Sequence, residues 1–235
     1  MSRFDWIRYR LANRMRRRLG EAGRVSYSQC GEDMIARFVF DTLKIAQPTY
    51  IDIGAHHPSY LNNTFAFYQA GSKGVNIEPD PDLFARFPAE RSRDSNLNIG
   101  IGPVAGELAF FVMSARTLNT FSADEARSAS EKGRAKIERT LKLPVRTVGD
   151  VLAEQFAQTA PDFLSLDVEG LDLDILKAWD FGRWRPKLVC VETIVYGGSR
   201  GAGQRDDISA HLLDNGYFSY AHTHVNSLFV DKAVW

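Results

Sequence analysis

The apolar positions of this chain fall in short blocks whose period switches repeatedly between helical and extended. Phe4, Ile7, Leu11, Met15 and Leu19 recur at spacings of three and four, which makes one apolar stripe on a helix with arginines around the rest. In 28–44, Ser28 stands as an N-cap, and Ile35, Phe38, Val39 and Leu43 follow at helical spacing until Pro48 ends the run. The pattern then predicts a strand over 50–53 ending at Gly54, a helix closed by Gly71, and a strand over 75–77 that breaks at Pro79. A helix over 81–90, a third strand near 97–101 and an extended run over 107–113 follow. The charged, alanine-rich stretch 122–141 reads as helix, and 144–156 as a strand and a helix. Beyond it come an apolar strand in 162–170 ending in acids, a helix over 171–179, a buried strand in 185–194, a glycine-rich loop, a helix over 207–216 and two closing strands within 217–230.

Strands alternating with helices for most of the chain, several of them continuous apolar runs, predict a doubly wound α/β fold with a parallel sheet covered on both faces. The final strand pair predicts one antiparallel strand at the end. The chain has 235 residues and 44% hydrophobic residues, enough for one domain over 25–235 preceded by a basic helix over 1–24. Two cysteines exclude a disulfide scaffold and a thiolate zinc cluster. Cys30 and Cys190 read as plain buried thiols, and the four tryptophans, Trp6, Trp179, Trp184 and Trp235, as packing residues. No apolar run is long enough to span a bilayer, and the N-terminal arginines leave no room for the core of a signal peptide. The expectation is a cytoplasmic protein.

The net charge of zero conceals an asymmetry. Residues 1–24 carry eight arginines against Asp5 and Glu21, a charge of +6, so the remainder, with 21 basic and 27 acidic residues, is −6. An acidic body is not the profile of a nucleic-acid grip. The arm has two readings: a helix packed on its own domain or on a second copy in a homo-oligomer, or a peripheral anchor at the anionic inner face of the membrane.

Ligands of a doubly wound sheet bind beyond the carboxyl ends of its strands, and here those ends are acidic. They read Asp52-Ile-Gly54-Ala-His56-His57, Glu78-Pro-Asp80, Asp167-Val-Glu169-Gly170 and Glu192-Thr193. Packing does not explain this, because a carboxylate costs free energy to desolvate without a partner. Gly54 permits a tight turn against a ligand, and Glu78, 26 residues after Asp52, stands where an acid can accept both hydroxyls of a ribose. GAHHPS lacks the glycines of a dinucleotide site. A nucleoside without phosphates fits better, and S-adenosylmethionine (SAM) is the candidate, since carboxylates also suit its sulfonium. Asp167 and Glu169, two apart on an extended chain, point to one side, and their like charges raise one pKa toward that of a general base. His56, His57 and His224 are the competing bases. The same acids with a histidine also suit Mg²⁺ or Mn²⁺, with Asp167 and Glu169 as ligands. Glu192 has the plainer alternative of an ion pair with Lys187 or a neighbouring arginine. Asp172 and Asp174 read as first-turn acids favoured by a helix dipole, and His211 as structural. Loop 197–205 is no P-loop; Arg200 and Arg205 in it are candidates for an anionic group on an acceptor.

YIDIGAHHPSYLNNT, GVNIEPDPDLF, RDSNLNIGI, LNTFS and DFLSLDVEGLDLDILKAWDFGRWRPKLVCVE, in that order, resemble the FkbM-type SAM-dependent methyltransferases, most nearly the branch opened by SQ-x-GED, here Ser28 to Asp33. The resemblance covers roughly 28–230. It implies a seven-stranded, mostly parallel, Rossmann-like methyltransferase sheet with its last strand antiparallel, SAM as cofactor, and O-methylation of a sugar hydroxyl on a glycan or glycosylated small molecule. Carried over by motif, Asp52, Gly54, Asn63 and Thr64 line the methionine end, Glu78 holds the ribose, Asn98, Gly100 and Ile101 flank adenine, and Asp167 with Glu169 faces the methyl. Gln29 and Asp33 are further cofactor contacts. His57, Asn119, Glu192, Arg200, Arg205 and His224 are the candidates on the acceptor side. The His56-His57-Pro58 loop departs from the Asn-x-Gly of many members, and the arginine-rich arm lies outside the family pattern. Two other classes remain: a SAM-binding member without catalysis, and a metal-dependent hydrolase using the strand-end acids.

Overall fold

A computed structural model describes residues 14, 23–157, 159–195 and 203–235. Nearly all of the basic arm and most of the glycine-rich loop, with Trp6 and Arg200, therefore lie outside the described residues. The main sheet has seven strands: β1 (Tyr50–Ile53), β2 (Gly74–Ile77), β3 (Ser95–Leu97), β7 (Phe163–Leu166), β8 (Leu188–Glu192), β11 (Tyr217–His222) and β12 (Asn226–Asp231), in the order β11-β12-β8-β7-β1-β2-β3. All neighbours are parallel except β12, which runs against both β8 and β11. The doubly wound sheet and its antiparallel final strand are thus as the sequence pattern predicts.

Alternate residues of each strand serve opposite faces. Ile51, Ile53, Leu164, Leu166, Val189 and Val191 pack with helices α6 (Val148–Gln155), α7 (Asp172–Ala178) and α8 (Asp206–Asp214). Tyr50, Phe163, Leu188 and Cys190 pack on the other face with α1 (Glu32–Thr42) and α2 (Phe65–Ala70). The two faces explain the continuous apolar runs, since neither side of β1, β7 or β8 meets water. This period also turns Asp52 away from the first face, a point that matters below.

A second sheet, β4 (Gly100–Ile101), β6 (Ile137–Arg146) and β5 (Gly106–Met113), is not predicted by the pattern, and β9 (Ile194–Val195) and β10 (Gly203–Gln204) form a short antiparallel pair apart from both. The run expected as one strand near 97–101 divides: β3 stays in the main sheet, and β4 pairs with β6. The helix expected over 122–141 stops early. Helix α5 (Ala123–Glu131) ends before Gly133, whose φ of +67° no helix accommodates, and the chain leaves as strand β6. β6 and the first half of β5 are largely exposed, so Arg139 and Lys142 on β6 carry no burial penalty and give it a helix-like composition. The expected helix over 81–90 is two single turns, α3 (Pro81–Phe84) and α4 (Phe87–Glu90), because Pro88 has no N–H to continue the ladder. At α1 the N-cap is Gly31, at φ +93°, not Ser28; the Ser28 hydroxyl accepts instead from the Gly31 and Asp33 N–H groups. Cys30 is exposed, Cys190 alone being buried, and Trp235 lies half-exposed against Phe218 and Tyr220, whereas Trp179 and Trp184 are in the core. Among the described residues no helix is long and apolar enough to cross a membrane.

Candidate active site

In strand order the chain winds from β1 to β2 and β3 on one side, then returns to place β7 on the other, so the crevice at the switch between β1 and β7 is where this fold accepts a ligand. Gly54 sits there with φ +82°, and a Cβ on it would fall 1.7 Å from the Asp167 carbonyl oxygen. Only glycine lets the two strand ends run on together, through the Asp167 N–H donating to Ile53 O at 3.0 Å. A cleft of about 960 Å³, including its mouth, opens over this point. Ile53, Gly54, Ile77, Glu78 and Asp167 form its floor along the strand ends, with Gln29 and Val225 at one side.

The second sheet makes the opposite wall. Ile101, Phe110 and Phe121 line it, with the 3₁₀ turn Arg116–Leu118 and Asn119. The rings of Phe110 and Phe121 lie 4.7 Å apart, and Gly100 admits Phe121, whose ring a Cβ there would meet at 2.4 Å. Asp80 ties this wall to β2: its carboxylate is fully buried, caps α3 and accepts from Arg116 Nη1 and Asn119 Nδ2, each at 2.9 Å. The LNTFS segment was singled out in sequence, but Arg116, Leu118 and Phe121 as cleft residues were not, because the strand pairing that brings them over β2 has no local signal.

Glu78 is turned into the floor, its Oε2 accepting from the His56 N–H at 2.8 Å and its Oε1 from the Asp80 N–H at 2.7 Å. Burial pushes its pKa up to about 8, against the pull of those two N–H groups, and nearby Asp80 and Asp52 add to the rise. Asn98 braces the same corner by donating to Glu78 O and Pro79 O, so it supports the cleft from outside its lining.

At the far end three carboxylates converge. One ligand oxygen from each of Asp167, Glu169 and Glu192 lies within 4.8 Å of the others. The turn that aims Glu169 is held by Asp172, whose carboxylate accepts from the Val168 and Gly170 N–H groups at 3.1 and 3.2 Å, and by Thr120 Oγ1 donating to Glu169 O at 2.6 Å. Glu169 takes φ +54° there, a conformation rare for a side chain of its kind and characteristic of over-determined functional turns. Burial raises all three acids, and neighbouring carboxylates add to the rise: Asp172, Asp52 and Glu32 take Asp167 to about 7, Asp167, Glu169 and Asp172 take Glu192 to about 10, and Asp167 and Asp172 help push Glu169 well above its usual range. Such a group cannot ionise completely at neutral pH, and at least one member holds a proton. The expected ion pair of Glu192 with Lys187 does not form; Lys187 pairs with Asp162, and Glu192 belongs to the cleft.

Several expected contacts stand behind the lining. Asp52 faces the α1 side of the sheet, buried, and accepts from Asn62 Nδ2 and Thr64 Oγ1 at 3.0 Å each. Asn63 donates to Ser165 Oγ. Asp33 is buried and accepts from Ser26, Tyr27 and Ser28, so it shapes the loop that presents Gln29. His57 is occupied by the Ser59 and Tyr60 N–H groups and by Arg86. His56 lines the cleft, with burial lowering its pKa, whereas His224 sits in the β11–β12 turn beside it. His211, as expected, contacts the Leu176 carbonyl and serves packing. Arg205 lies outside this cleft, gripping Asp207.

The family model for the methyltransferase FkbM domain matches residues 52–219, more than two thirds of the chain. The chain belongs to the FkbM methyltransferase family. As an FkbM methyltransferase it is a SAM-dependent enzyme, and the nucleoside reading of Gly54 and Glu78 rests on that footing. A comparison with curated proteins finds no match. Solved structures similar to it include a TehB-like SAM-dependent methyltransferase from Corynebacterium glutamicum, with 13% identity, 95% of this chain and 97% of that chain covered and a TM-score of 0.42. The putative methyltransferase yhhF from Escherichia coli has 10% identity, 89% of each chain covered and a TM-score of 0.45. The 1,6-didemethyltoxoflavin-N1-methyltransferase from Burkholderia thailandensis, solved with S-adenosylhomocysteine, has 9% identity, 86% of this chain and 77% of that chain covered, and a TM-score of 0.40. At such distances the fold is read from the strand order itself.

Proposed function

We propose that this FkbM methyltransferase transfers the methyl group of SAM to a hydroxyl of a sugar, on a glycan or a glycosylated small molecule. The observation that carries the reading is the convergence of Asp167, Glu169 and Glu192 within 4.8 Å at the end of the cleft. Attack of an alcohol oxygen on the methyl forms the C–O bond, breaks the S–C bond and leaves a proton on the oxygen. A carboxylate with a pKa near neutrality is suited to take that proton, and Asp167, at about 7, is the member best placed in energy. Glu192, raised to about 10, retains its proton and donates a hydrogen bond to a neighbouring oxygen of the acceptor, and Glu169, whose pKa burial also raises, stands beside it. Glu78 takes the ribose hydroxyls, and the Phe110–Phe121 wall with Ile99 and Ile101 takes the adenine.

The same three oxygens support a second reading, in which they hold Mg²⁺ or Mn²⁺ and the ion binds and acidifies a sugar diol, since both ions favour carboxylate ligands. The test uses labelled SAM with a panel of sugars and measures methyl transfer in wild type, Asp167→Asn and Glu169→Gln. The base reading expects a loss of at least about 100-fold in the first variant with S-adenosylhomocysteine affinity kept. Both variants at wild-type rate would sink it. An undiminished rate in EDTA disposes of the ion; loss in EDTA with recovery on adding Mn²⁺ establishes it.

A further inference from the structure

Asp52, Asn63 and Thr64, expected to meet the amino-acid end of the cofactor, stand behind the cleft and turn their polar groups to one another, to Asn62 and to Ser165. That end carries an ammonium and a carboxylate, and both need partners from the cleft's own lining. The segment before α1 supplies them. Tyr27 O accepts from the Asn62 N–H at 2.9 Å, which ties the segment to the loop after β1. At its other end Glu32 Oε1 accepts from Thr223 Oγ1 at 2.6 Å and from Asn226 Nδ2 at 3.0 Å, which ties it to the β11–β12 turn. Asn226 is the cross-strand partner of Glu192. In the sheet order these two attachments flank β7 and β8, so the segment crosses the carboxyl ends of both.

Gln29 is the middle of this crossing. Before it, Asp33 holds Ser26, Tyr27 and Ser28; after it, the Cys30 N–H donates to Glu32 Oε2 at 2.8 Å. Between these anchors Gln29 lines the cleft, exposed, and its amide makes no hydrogen bond among the described residues. Val225 lines the cleft from the turn that Glu32 grips, its carbonyl accepting from the Thr193 N–H at 3.0 Å. An amide suits both charges of an amino acid, since its oxygen accepts from an ammonium and its nitrogen donates to a carboxylate.

Glu32 itself is fully buried and stands outside the lining. Burial works to raise its pKa, yet the bonds from Asn226, Thr223 and the Cys30 N–H prevail and hold it below the usual value. None of the groups acting on it is a lysine or arginine. Its charge is answered by the dipoles of the two pieces it joins, and such charge-assisted bonds are strong ones.

We infer that Gln29, with Val225 beside it, closes a subsite for the amino-acid end of the cofactor, and that Glu32 is the positioning residue that holds this subsite closed. The subsite rests on the reading of the cleft as a SAM site and adds to it a part that the strand ends do not supply.

The test uses the full chain and two probes, S-adenosylhomocysteine and methylthioadenosine, which keeps the thioether nucleoside and lacks the amino acid. Direct or competitive isothermal titration should find wild type binding the first about 10-fold or more tightly than the second. Glu32→Ala should shrink that ratio to about threefold or less by weakening S-adenosylhomocysteine, with methylthioadenosine within about twofold of wild type, which also reports an intact fold. Gln29→Ala, at an exposed position, should act in the same direction. Combined with Glu32→Ala it should lose less than the two single losses summed, because one residue acts through the other. Where Glu32→Ala does not fold, Thr223→Ala, which removes one donor to Glu32, carries the same comparison. Equal binding of the two probes by wild type, or an unchanged ratio in the variants, overturns the proposal. So does an equal weakening of both probes in Glu32→Ala, the mark of a merely structural role. Failure of wild type to bind either probe is a different result, and it counts against the nucleoside site instead.

Discussion

Arg91 is fully buried and all five of its N–H donors are used. Nε donates to Asp94 at 2.8 Å, Nη1 to Pro58 O and Asn62 Oδ1 at 3.0 and 3.2 Å, and Nη2 to the Tyr50 hydroxyl and Thr64 Oγ1, both at 2.9 Å. It also lies 4.8 Å from the Tyr68 ring centroid. Through Asn62 and Thr64 it reaches Asp52, so one guanidinium fixes the loop that follows Gly54 and the start of α2. Arg91→Met keeps the length of the side chain but leaves Asp94, itself fully buried, without its cation. Breaking a buried pair from one side costs about 3–5 kcal/mol. For a domain of this size that lowers the melting temperature by about 6–20 °C. Thermal unfolding followed by circular dichroism measures it, and Arg91→Met with Asp94→Asn should recover part of the loss, because the uncompensated charge is then gone. A fall of less than about 3 °C in the single variant would refute the reasoning that this pair organises the loop.

Other consequences follow from the same geometry. Gly54→Ala must move the Asp167 backbone and adopt φ +82°, so it should lose S-adenosylhomocysteine binding and about 2–5 kcal/mol of stability in urea melts. Glu78, raised to about 8 in the fold, contributes stability in full below about pH 4.5 and loses it as pH rises through 8. Urea melts of the cofactor-free protein should therefore show stability falling across that window, with a flatter dependence in Glu78→Gln. With Asp167 as base, kcat/KM should rise with pH through about 7; a rate flat from pH 5 to 9 would remove Asp167 from that role.

The main sheet was legible because its strands are buried on both faces and write themselves as apolar runs between helical periods. The floor of the cleft was legible for the same reason, since Gly54, Glu78, Asp167 and Glu192 stand at the ends of those runs. Asp52 shows where the reading stops. An acid two residues before the turn glycine is visible in sequence, but its direction follows from the strand's period, and that sends it to Asn62 and Thr64 behind the cleft. The second sheet escaped because β6 is exposed and charged, so its alternation carries no burial signal. With it escaped the wall of Arg116, Leu118, Phe110 and Phe121 over the cleft. The clasp at the side of the cleft is likewise a product of tertiary placement, bringing Glu32 to Thr223 and Asn226 across 191 and 194 residues of chain.

The central claim is that the crevice between β1 and β7 is a nucleoside site built on Glu78. Isothermal titration of the full chain with S-adenosylhomocysteine, beside Glu78→Gln, tests it most directly. Micromolar binding in wild type, weakened about 10- to 100-fold by the substitution as hydrogen bonds accepted from two ribose hydroxyls are lost, is the predicted result. Binding that is absent in wild type, or equal in the two proteins, would contradict it.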